Sequence, residues 1–190
     1  MLNEQQQDIL DQVVNWFYKE PENQVFEIGG GAGTGKTYLV SQIILALGLD
    51  ESQFLAVAYT GAAALVLRGK GFVNACTIHS ALYQIIEEPM PDMISEYFHI
   101  PIAKKRFIRR PKLDESIKLI IVDEGYMVPE YIARDLMSYG VKILVSGDPN
   151  QLPPIGGKPA FLTNPNNIHM LTKLMRQAED DPIVYLANRA

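Results

Sequence analysis

A run rich in glycine near the start of the chain has the residue types and spacing to bind phosphate. Residues 30–37 read Gly-Gly-Ala-Gly-Thr-Gly-Lys-Thr and fit G-x-x-x-x-G-K-[ST] without a gap. The residues before the run, 25–28, are typical of a buried strand, and the apolar residues after it recur at helical spacing. In that setting glycines let backbone N–H groups surround an anion, and the helix N-terminus adds partial positive charge. The motif predicts a nucleotide-phosphate site, and an incidental glycine-rich turn is the less favoured alternative.

The side chains of this loop have separate predicted tasks. Lys36 is expected to reach the β- and γ-phosphates, and the Thr37 hydroxyl is expected to hold Mg²⁺. The backbone predicted to surround the phosphates belongs to Gly31, Ala32, Gly33, Thr34 and Gly35.

Two adjacent acids follow a second apolar strand, predicted over residues 117–122. In open parallel sheets, ligands sit at the carboxyl ends of the strands. Hydrolysis of a nucleotide needs one carboxylate to organise Mg²⁺ and another to deprotonate the attacking water. Asp123 is the predicted metal ligand and Glu124 the predicted base. An Asp-Glu pair after a strand is often only a helix cap, but the phosphate loop upstream favours the catalytic interpretation.

A third polar segment, residues 146–155, follows another apolar strand and reads Ser-Gly-Asp-Pro-Asn-Gln-Leu-Pro-Pro-Ile. The Gln151 amide could bond the γ-phosphate or the water that attacks it. The segment could equally be a proline-rich turn formed by Asp148 and Asn150. The local chemistry alone does not choose between the two.

The elements that must position these residues alternate along the chain. Apolar spacing predicts helices over 5–17, from the phosphate loop to 47, over 62–67, 129–138 and 181–190, and strands over 25–28, 54–58, 117–122 and 141–145. Strands that are apolar on both faces and separated by helices favour a parallel sheet covered on both sides. The predicted fold class is therefore α/β.

The alternation breaks between about residues 87 and 115, which carry four prolines. Six of the 17 basic residues lie in the stretch 104–112 of an otherwise acidic chain. We interpret the segment as an insertion with a small hairpin of 100–103 against 106–109. A solvated charged loop is the simpler alternative, whereas a local basic patch beside aromatic residues suits a polyanion.

Composition limits the remaining possibilities. The net charge of −5 gives no overall attraction to nucleic acids or acidic membranes, so such binding requires local patches. A single cysteine, Cys76, excludes an internal disulfide and fits a reducing compartment. No signal peptide or membrane-spanning apolar run is evident. We expect a cytoplasmic protein that has no membrane partner and is monomeric.

Taken in order, the motifs resemble those of superfamily 1B DNA helicases, the group of RecD-, Pif1- and Dda-like enzymes. The matching segments are LNEQQ (2–6, the Q motif), GGAGTGKT (motif I or Walker A), AYTGAAALVL (58–67, Ia), CTIHSAL (76–82, Ib), IIVDEGYM (II), GDPNQLPPI (III) and LTKLMRQ (171–177, IV). The resemblance covers essentially the whole chain. In its short insertion and overall compactness, the chain is most similar to phage Dda-type helicases.

This resemblance implies a P-loop NTPase with a RecA-like fold that uses ATP and Mg²⁺. Gln6 would contact the adenine edge, Gln151 would sense the γ-phosphate, and Arg176 would stabilise charge on the transferred phosphoryl group. At Gly125-Tyr126 the chain departs from the small residue and serine that are usual in motif II.

The resemblance also implies a track for single-stranded DNA. Thr60 and Thr77 would donate to DNA phosphates, and His79 would lie on the same track. Taken alone, Thr60 fits a helix cap and His79 a core histidine. Residues 85–116 would form a small inserted domain with a pin at the duplex fork, where Phe98 and Phe107, with Tyr97, are candidates to stack on a base.

The implied function is that of an ATP-dependent 5′→3′ DNA helicase. Residues 1–84 and 117–190 would form one RecA-like domain, and nothing in the chain matches the second one, so we expect the N-terminal motor domain of a longer polypeptide. The alternative is a catalytically incomplete ATPase domain that binds nucleic acid or protein. A GTPase is disfavoured because N-K-x-D is absent, and neither a GTPase nor a P-loop kinase has a role for GDPNQLPP.

Overall fold

The structure is a computed structural model that describes residues 2–89, 103–155 and 157–175. The helices are α1 (Glu4–Lys19), α2 (Lys36–Leu47), α3 (Gly61–Gly69), α4 (Ile78–Leu82) and α5 (Glu130–Met137), with a 3₁₀ turn at Gly125–Met127. The strands are β1 (Val25–Gly30), β2 (Phe54–Ala58), β3 (Cys76–Thr77), β4 (Tyr83–Pro89), β5 (Ala103–Arg109), β6 (Leu119–Asp123), β7 (Lys142–Gly147) and β8 (Ile168–Leu171).

Six of these strands form one sheet in the order β3-β2-β6-β7-β1-β8, and every pairing in it is parallel. β6 lies in the middle and is buried at all five positions. α1, α2 and α3 pack on one face of the sheet, and α4 and α5 pack on the other. The predicted parallel α/β sheet covered on both faces is confirmed.

α1 begins where its cap can satisfy the first free backbone N–H groups. The Asn3 side chain accepts from Gln6 N at 2.9 Å, and the Gln6 side chain accepts from Asn3 N at 3.1 Å. Its buried stripe of Ile9, Val13 and Trp16 covers the sheet. This capping box fixes the start of α1 beside the phosphate loop.

The strand order brings the predicted site together. β6, β7 and β1 are neighbours in the sheet. The two acids lie at the end of β6, Gln151 lies in the loop after β7, and the phosphate loop follows β1. β8 was not predicted; it pairs with β1 so closely that a Cβ on Gly29 would lie 2.4 Å from Met170 Sδ. β8 has only four residues and includes a histidine, so its sequence gives little indication of a strand. The close contact between Gly29 and Met170 cannot be predicted from the sequence.

The inserted hairpin exists, but its predicted pairing is wrong. Residues 103–109 form one continuous strand, β5, which pairs antiparallel with β4 rather than folding back on itself. The register places opposite charges across from each other at Glu87 and Lys105, which favours this pairing. Lys105 Nζ is 3.9 Å from a Glu87 carboxylate oxygen.

Several other predictions are corrected or lie outside the described residues. The short β3 and α4 were missed, α3 continues past residue 67 to Gly69, and Pro129 is the N-cap of α5 rather than its first residue. Tyr97, Phe98, Arg176 and the predicted last helix, 181–190, lie outside the described residues. Within the described ranges, no helix is long and apolar enough to cross a bilayer.

Candidate nucleotide and DNA sites

The phosphate loop joins the carboxyl end of β1 to the first residue of α2. Gly33 and Gly35 adopt φ of +79° and +83°, which only glycine takes at little cost. The Thr34 hydroxyl donates to the Gly31 carbonyl at 2.9 Å and closes the loop on itself. The start of α2, at Lys36, has no side-chain cap, so its first N–H groups remain available to an anion.

Lys36 lies at the centre of the loop. Its ammonium group donates to the carbonyls of Gly30 and Gly31 at 2.6 and 3.0 Å. Burial lowers the pKa of Lys36, and the nearby carboxylates of Glu124, Asp148 and Asp123 oppose that shift. The loop therefore holds a partly desolvated cation next to three acids.

The two acids of β6 differ in their surroundings. Asp123 is buried, and its carboxylate accepts from the Ser146 hydroxyl on β7 at 2.8 Å. Glu124 adopts φ +53° just after the strand, and its Oε2 is buried without a hydrogen-bond partner among the described residues. Burial, followed by the Asp123 charge, raises the pKa of Glu124, while the nearby charge of Lys36 opposes the shift.

Gly125 lies too close to β7 for a side chain. A Cβ at this position would lie 2.2 Å from Val145 Cγ1, so motif II and β7 are in direct contact only because residue 125 is glycine. A Cβ on Gly147 would likewise lie 3.0 Å from Gly125 N. The acids and the Gln151 loop therefore pack backbone against backbone.

These residues line one cavity of about 580 Å³. Its lining combines the loop, the acids and the end of α3: Ala32, Gly33, Gly35, Lys36, Thr37, Tyr38, Ala63, Val66, Lys70, Asp123, Glu124, Gln151 and Met175. A larger cavity of about 810 Å³ lies at the opposite end of β1. Its described lining carries Asp11, Glu20 and Glu27 but no lysine or arginine, so it is unsuited to a polyphosphate.

The side-chain oxygen atoms in this cavity suit Mg²⁺ that also binds phosphate and water. Thr37, Asp123 and Glu124 supply hard oxygen atoms, and the orphaned Oε2 of Glu124 is a buried acceptor that a cation or its water would satisfy. The described residues contain no cluster of three or more His, Cys, Asp or Glu side chains that could hold a metal alone. Magnesium here would share its coordination with phosphate and water.

Two residues in the cavity were missed from the sequence. The Lys70 ammonium donates to the Thr37 hydroxyl at 3.2 Å, and Met175 N donates to the Gly33 carbonyl at 3.0 Å. Lys70 lies outside the quoted motifs, and Met175 lies in the motif IV segment but contacts the loop through its backbone, which the motif does not indicate. They reach the loop from distant parts of the chain.

Gln6 lies directly beneath the phosphate loop. It is fully buried and donates to the Thr34 carbonyl at 3.2 Å, while its amide oxygen serves the cap of α1. The structure thus places Gln6 against the loop, and its adenine contact stays a prediction.

The predicted DNA residues gather at the carboxyl ends of β2 and β3. The side chains of Thr60 and Thr77 cap α3 and α4, each accepting from a backbone N–H at 3.2 Å. The capping alternative for Thr60 is therefore observed, and it leaves the hydroxyl hydrogen free to donate. His79 is exposed, so the core alternative is wrong; its ring lies 6.0 Å from that of Tyr59 and 5.7 Å from that of Tyr83.

Phe107 lies apart from these residues on the hairpin. Its side chain is 65% exposed on β5, opposite the equally unpacked Ile85 of β4. This exposure leaves the ring free to meet a partner.

Comparison with known proteins identifies the fold. The AAA domain model AAA_30 matches residues 1–188. The ATP-dependent DNA helicase PIF7 of Trypanosoma brucei brucei is 30% identical over 182 residues, which are 80% of this chain and 16% of that protein.

Solved structures of Pif1 share the architecture. Bacteroides sp Pif1, solved with ADP-AlF4 and bound to ssDNA, superposes with TM-scores of 0.56 and 0.57 at 24% identity, covering 93% of this chain and 43% of that one. Pif1 helicase from Candida albicans superposes with a TM-score of 0.62 at 19% identity, covering 100% of this chain and 43% of that one. This chain thus spans less than half of each of these relatives. It belongs to the AAA_30 family and is a RecA-like motor domain of the superfamily 1B, Pif1/RecD-like type.

Proposed function

We propose that the chain is the N-terminal motor domain of an ATP-dependent DNA helicase that moves 5′→3′ on single-stranded DNA. The observation that carries the proposal is the convergence of Lys36, Glu124 and Gln151 on one cavity. PIF7 is an ATP-dependent DNA helicase, which supports the same activity here. The polarity rests on the sequence resemblance.

ATP is the proposed nucleotide, and the residues divide its handling among them. Lys36 and the backbone N–H groups of residues 31–35 would bind the phosphates. Thr37 and Asp123 would hold Mg²⁺, which would supply positive charge to stabilise the phosphates. Ser146 orients the Asp123 carboxylate for that task.

Glu124 is the proposed general base. A raised pKa makes its carboxylate a better proton acceptor than an ordinary glutamate. Gln151, the residue proposed to contact the γ-phosphate, lines the same cavity as Glu124.

Single-stranded DNA is proposed to cross the ends of β2 and β3, contacting Thr60, Thr77 and His79. Tyr59 and Tyr83, beside His79, add aromatic surface to that track. The hairpin supplies the local positive charge that the acidic chain otherwise lacks, through exposed Lys105, Arg106, Arg109 and Arg110. Phe107, with Phe98 from the inserted segment, is the proposed fork contact.

The rest of the motor is proposed to come from the same polypeptide. A second RecA-like domain would close on the cavity from its open side, with Arg176 completing the charge around the γ-phosphate. We propose a cytoplasmic monomer for the whole protein.

Replacement of Lys36 in the phosphate loop of the full-length protein tests this function. Lys36→Ala is expected to abolish DNA-stimulated ATP hydrolysis and unwinding of a duplex with a 5′ single-stranded tail. Lys118→Ala, an exposed lysine at the amino end of β6, is the matched control and should leave both rates unchanged. If Lys36→Ala leaves unwinding intact, the motor proposal is wrong; if the wild type binds DNA but never hydrolyses ATP, the binding-module alternative is correct.

A further inference from the structure

Lys70 is a lysine outside the helicase-like motifs whose ammonium group reaches the nucleotide cavity. It follows α3 as its C-cap, and its Nζ donates to Thr37 Oγ1 at 3.2 Å. Thr37 is the residue whose hydroxyl is proposed to hold Mg²⁺. The ammonium group of an exposed lysine therefore contacts the oxygen atom that is proposed to hold the metal.

The backbone at Lys70 is firmly placed although the side chain is exposed. Lys70 N donates to the carbonyls of Val66 and Leu67 at 3.2 and 3.0 Å. Gly71 then turns the chain at φ +101°, and buried Phe72 anchors it through a backbone bond to Leu67. The turn thus fixes where the lysine stem begins, beside the cavity.

Two ammonium groups converge on this cavity from different elements. Lys36 enters from the phosphate loop and Lys70 from the end of α3. Burial is the main cause of the lowered pKa of Lys36, and the positive charge of nearby Lys70 adds to it. Like charges at close range repel, and an anion between them relieves that repulsion. Paired lysines on one cavity are therefore suited to a polyphosphate.

We propose that Lys70 is a second phosphate-contacting lysine, which moves from the Thr37 hydroxyl to the terminal phosphates when a magnesium–nucleoside triphosphate binds. A metal on Thr37 Oγ1 would repel the ammonium group, and the flexible four-carbon stem of lysine allows the short displacement. A triphosphate brings one more anionic group into the cavity than a diphosphate, so a contact of Lys70 with the terminal phosphate would favour a triphosphate. This inference rests on the proposed function, because it requires nucleotide binding.

Binding of mant-ATP and mant-ADP to the full-length protein, with Mg²⁺, tests the proposal independently of hydrolysis. Lys70→Met keeps most of the stem and removes the charge. It is expected to weaken mant-ATP binding roughly threefold to tenfold, the range for one partly exposed charge-assisted hydrogen bond, and to weaken mant-ADP binding less. Lys70→Arg should keep most of the mant-ATP affinity. Lys118→Met is the matched control and should bind mant-ATP as tightly as wild type.

The outcomes separate the two claims. If wild type binds mant-ATP, Lys36→Met loses binding and Lys70→Met equals wild type, the role of Lys70 is wrong and the proposed function stands. An equal loss of mant-ATP and mant-ADP binding in Lys70→Met would also overturn the terminal-phosphate contact. If wild type and Lys36→Met both fail to bind mant-ATP, the proposed function itself is wrong.

Discussion

At the scale of single residues, Glu124 combines three unusual properties. It has a left-handed backbone, a buried oxygen without a partner among the described residues, and a raised pKa. Each costs free energy in the folded protein, and such costs concentrate at functional sites. Their coincidence at the residue predicted as the base supports the catalytic interpretation over a simple helix cap.

The raised pKa of Glu124 leads to a pH prediction. A base must be ionised to accept a proton, so hydrolysis should fall as pH drops through its pKa, at a higher pH than for an ordinary carboxyl, whose pKa is 4.5. Glu124→Gln should reduce the hydrolysis rate by roughly 10²–10⁴-fold while mant-ATP still binds. The pH dependence of kcat and a binding titration measure the two effects; loss of binding in this variant would contradict a role confined to proton transfer.

Gly125 provides a prediction about stability. A methyl group there would meet Val145 Cγ1 at 2.2 Å, so Gly125→Ala should lower the free energy of unfolding by roughly 1–3 kcal/mol, as overpacking does. Gly61→Ala is the matched control, because a Cβ at Gly61 meets nothing within 4 Å and α3 begins there. Urea denaturation measures both variants. Equal stability of the two would show that motif II has room to separate from β7.

At the scale of elements, the hairpin is held by α5 and the turn that follows it. The Tyr83 hydroxyl donates to Asp135, Arg109 donates to the Ser138 hydroxyl, and the Tyr139 hydroxyl donates to the Arg110 carbonyl at 2.7 Å. The first and last residues of the hairpin, Tyr83 and Arg109, face each other across the strands. Both strands are therefore tied at their base to one short helix.

This attachment predicts a local loss of order when it is cut. Burial and the Asp135 contact raise the pKa of Tyr83, so its hydroxyl remains a donor throughout the neutral range. Tyr83→Phe should lower amide hydrogen-exchange protection in β4 and β5 and leave β6 and β7 unchanged. Tyr18→Phe is the control, because it removes a hydroxyl that donates to the Leu47 carbonyl at the end of α2. Unchanged protection of the hairpin in Tyr83→Phe would show that other contacts hold it.

The elements that could be predicted from sequence are those with strong local patterns. β1, β2, β6 and β7 are largely apolar, and the motif residues Lys36, Glu124 and Gln151 lie in the segments that follow three of them. β3 and β8 are short edge strands whose pairing depends on neighbours distant in sequence. Lys70 reaches the cavity through the end of α3, and no local pattern marks such a contact.

At the scale of the whole molecule, one edge of the main sheet carries the phosphate-binding residues together with Thr60, Thr77 and His79. The order β3-β2-β6-β7-β1 places the proposed DNA residues, after β3 and β2, beside the nucleotide residues, after β6, β7 and β1. Hydrophobic cores on both faces hold these strands as one body. A shift of one loop at this edge is therefore expected to affect the adjacent loops first.

The opposite end of β1 influences the stability of the whole domain through Glu27. Its carboxylate accepts from Leu162 N at 2.8 Å, and Leu162 itself adopts φ +60°. Burial raises the pKa of Glu27, with the Leu162 hydrogen bond opposing the shift. The folded state therefore binds this proton more tightly than the unfolded chain does, and stability falls as pH rises through the raised pKa.

Glu27→Gln should remove that loss, because the amide keeps an oxygen for Leu162 N and carries no charge. The variant is expected to be more stable than wild type at pH 7, and close to wild type near pH 4, where the carboxyl is mostly protonated in both states. Urea denaturation at the two pH values measures the difference, with exposed Glu22→Gln as the control. A variant less stable than wild type at pH 7 would show that the charge on Glu27 strengthens its bond to Leu162 by more than its burial costs.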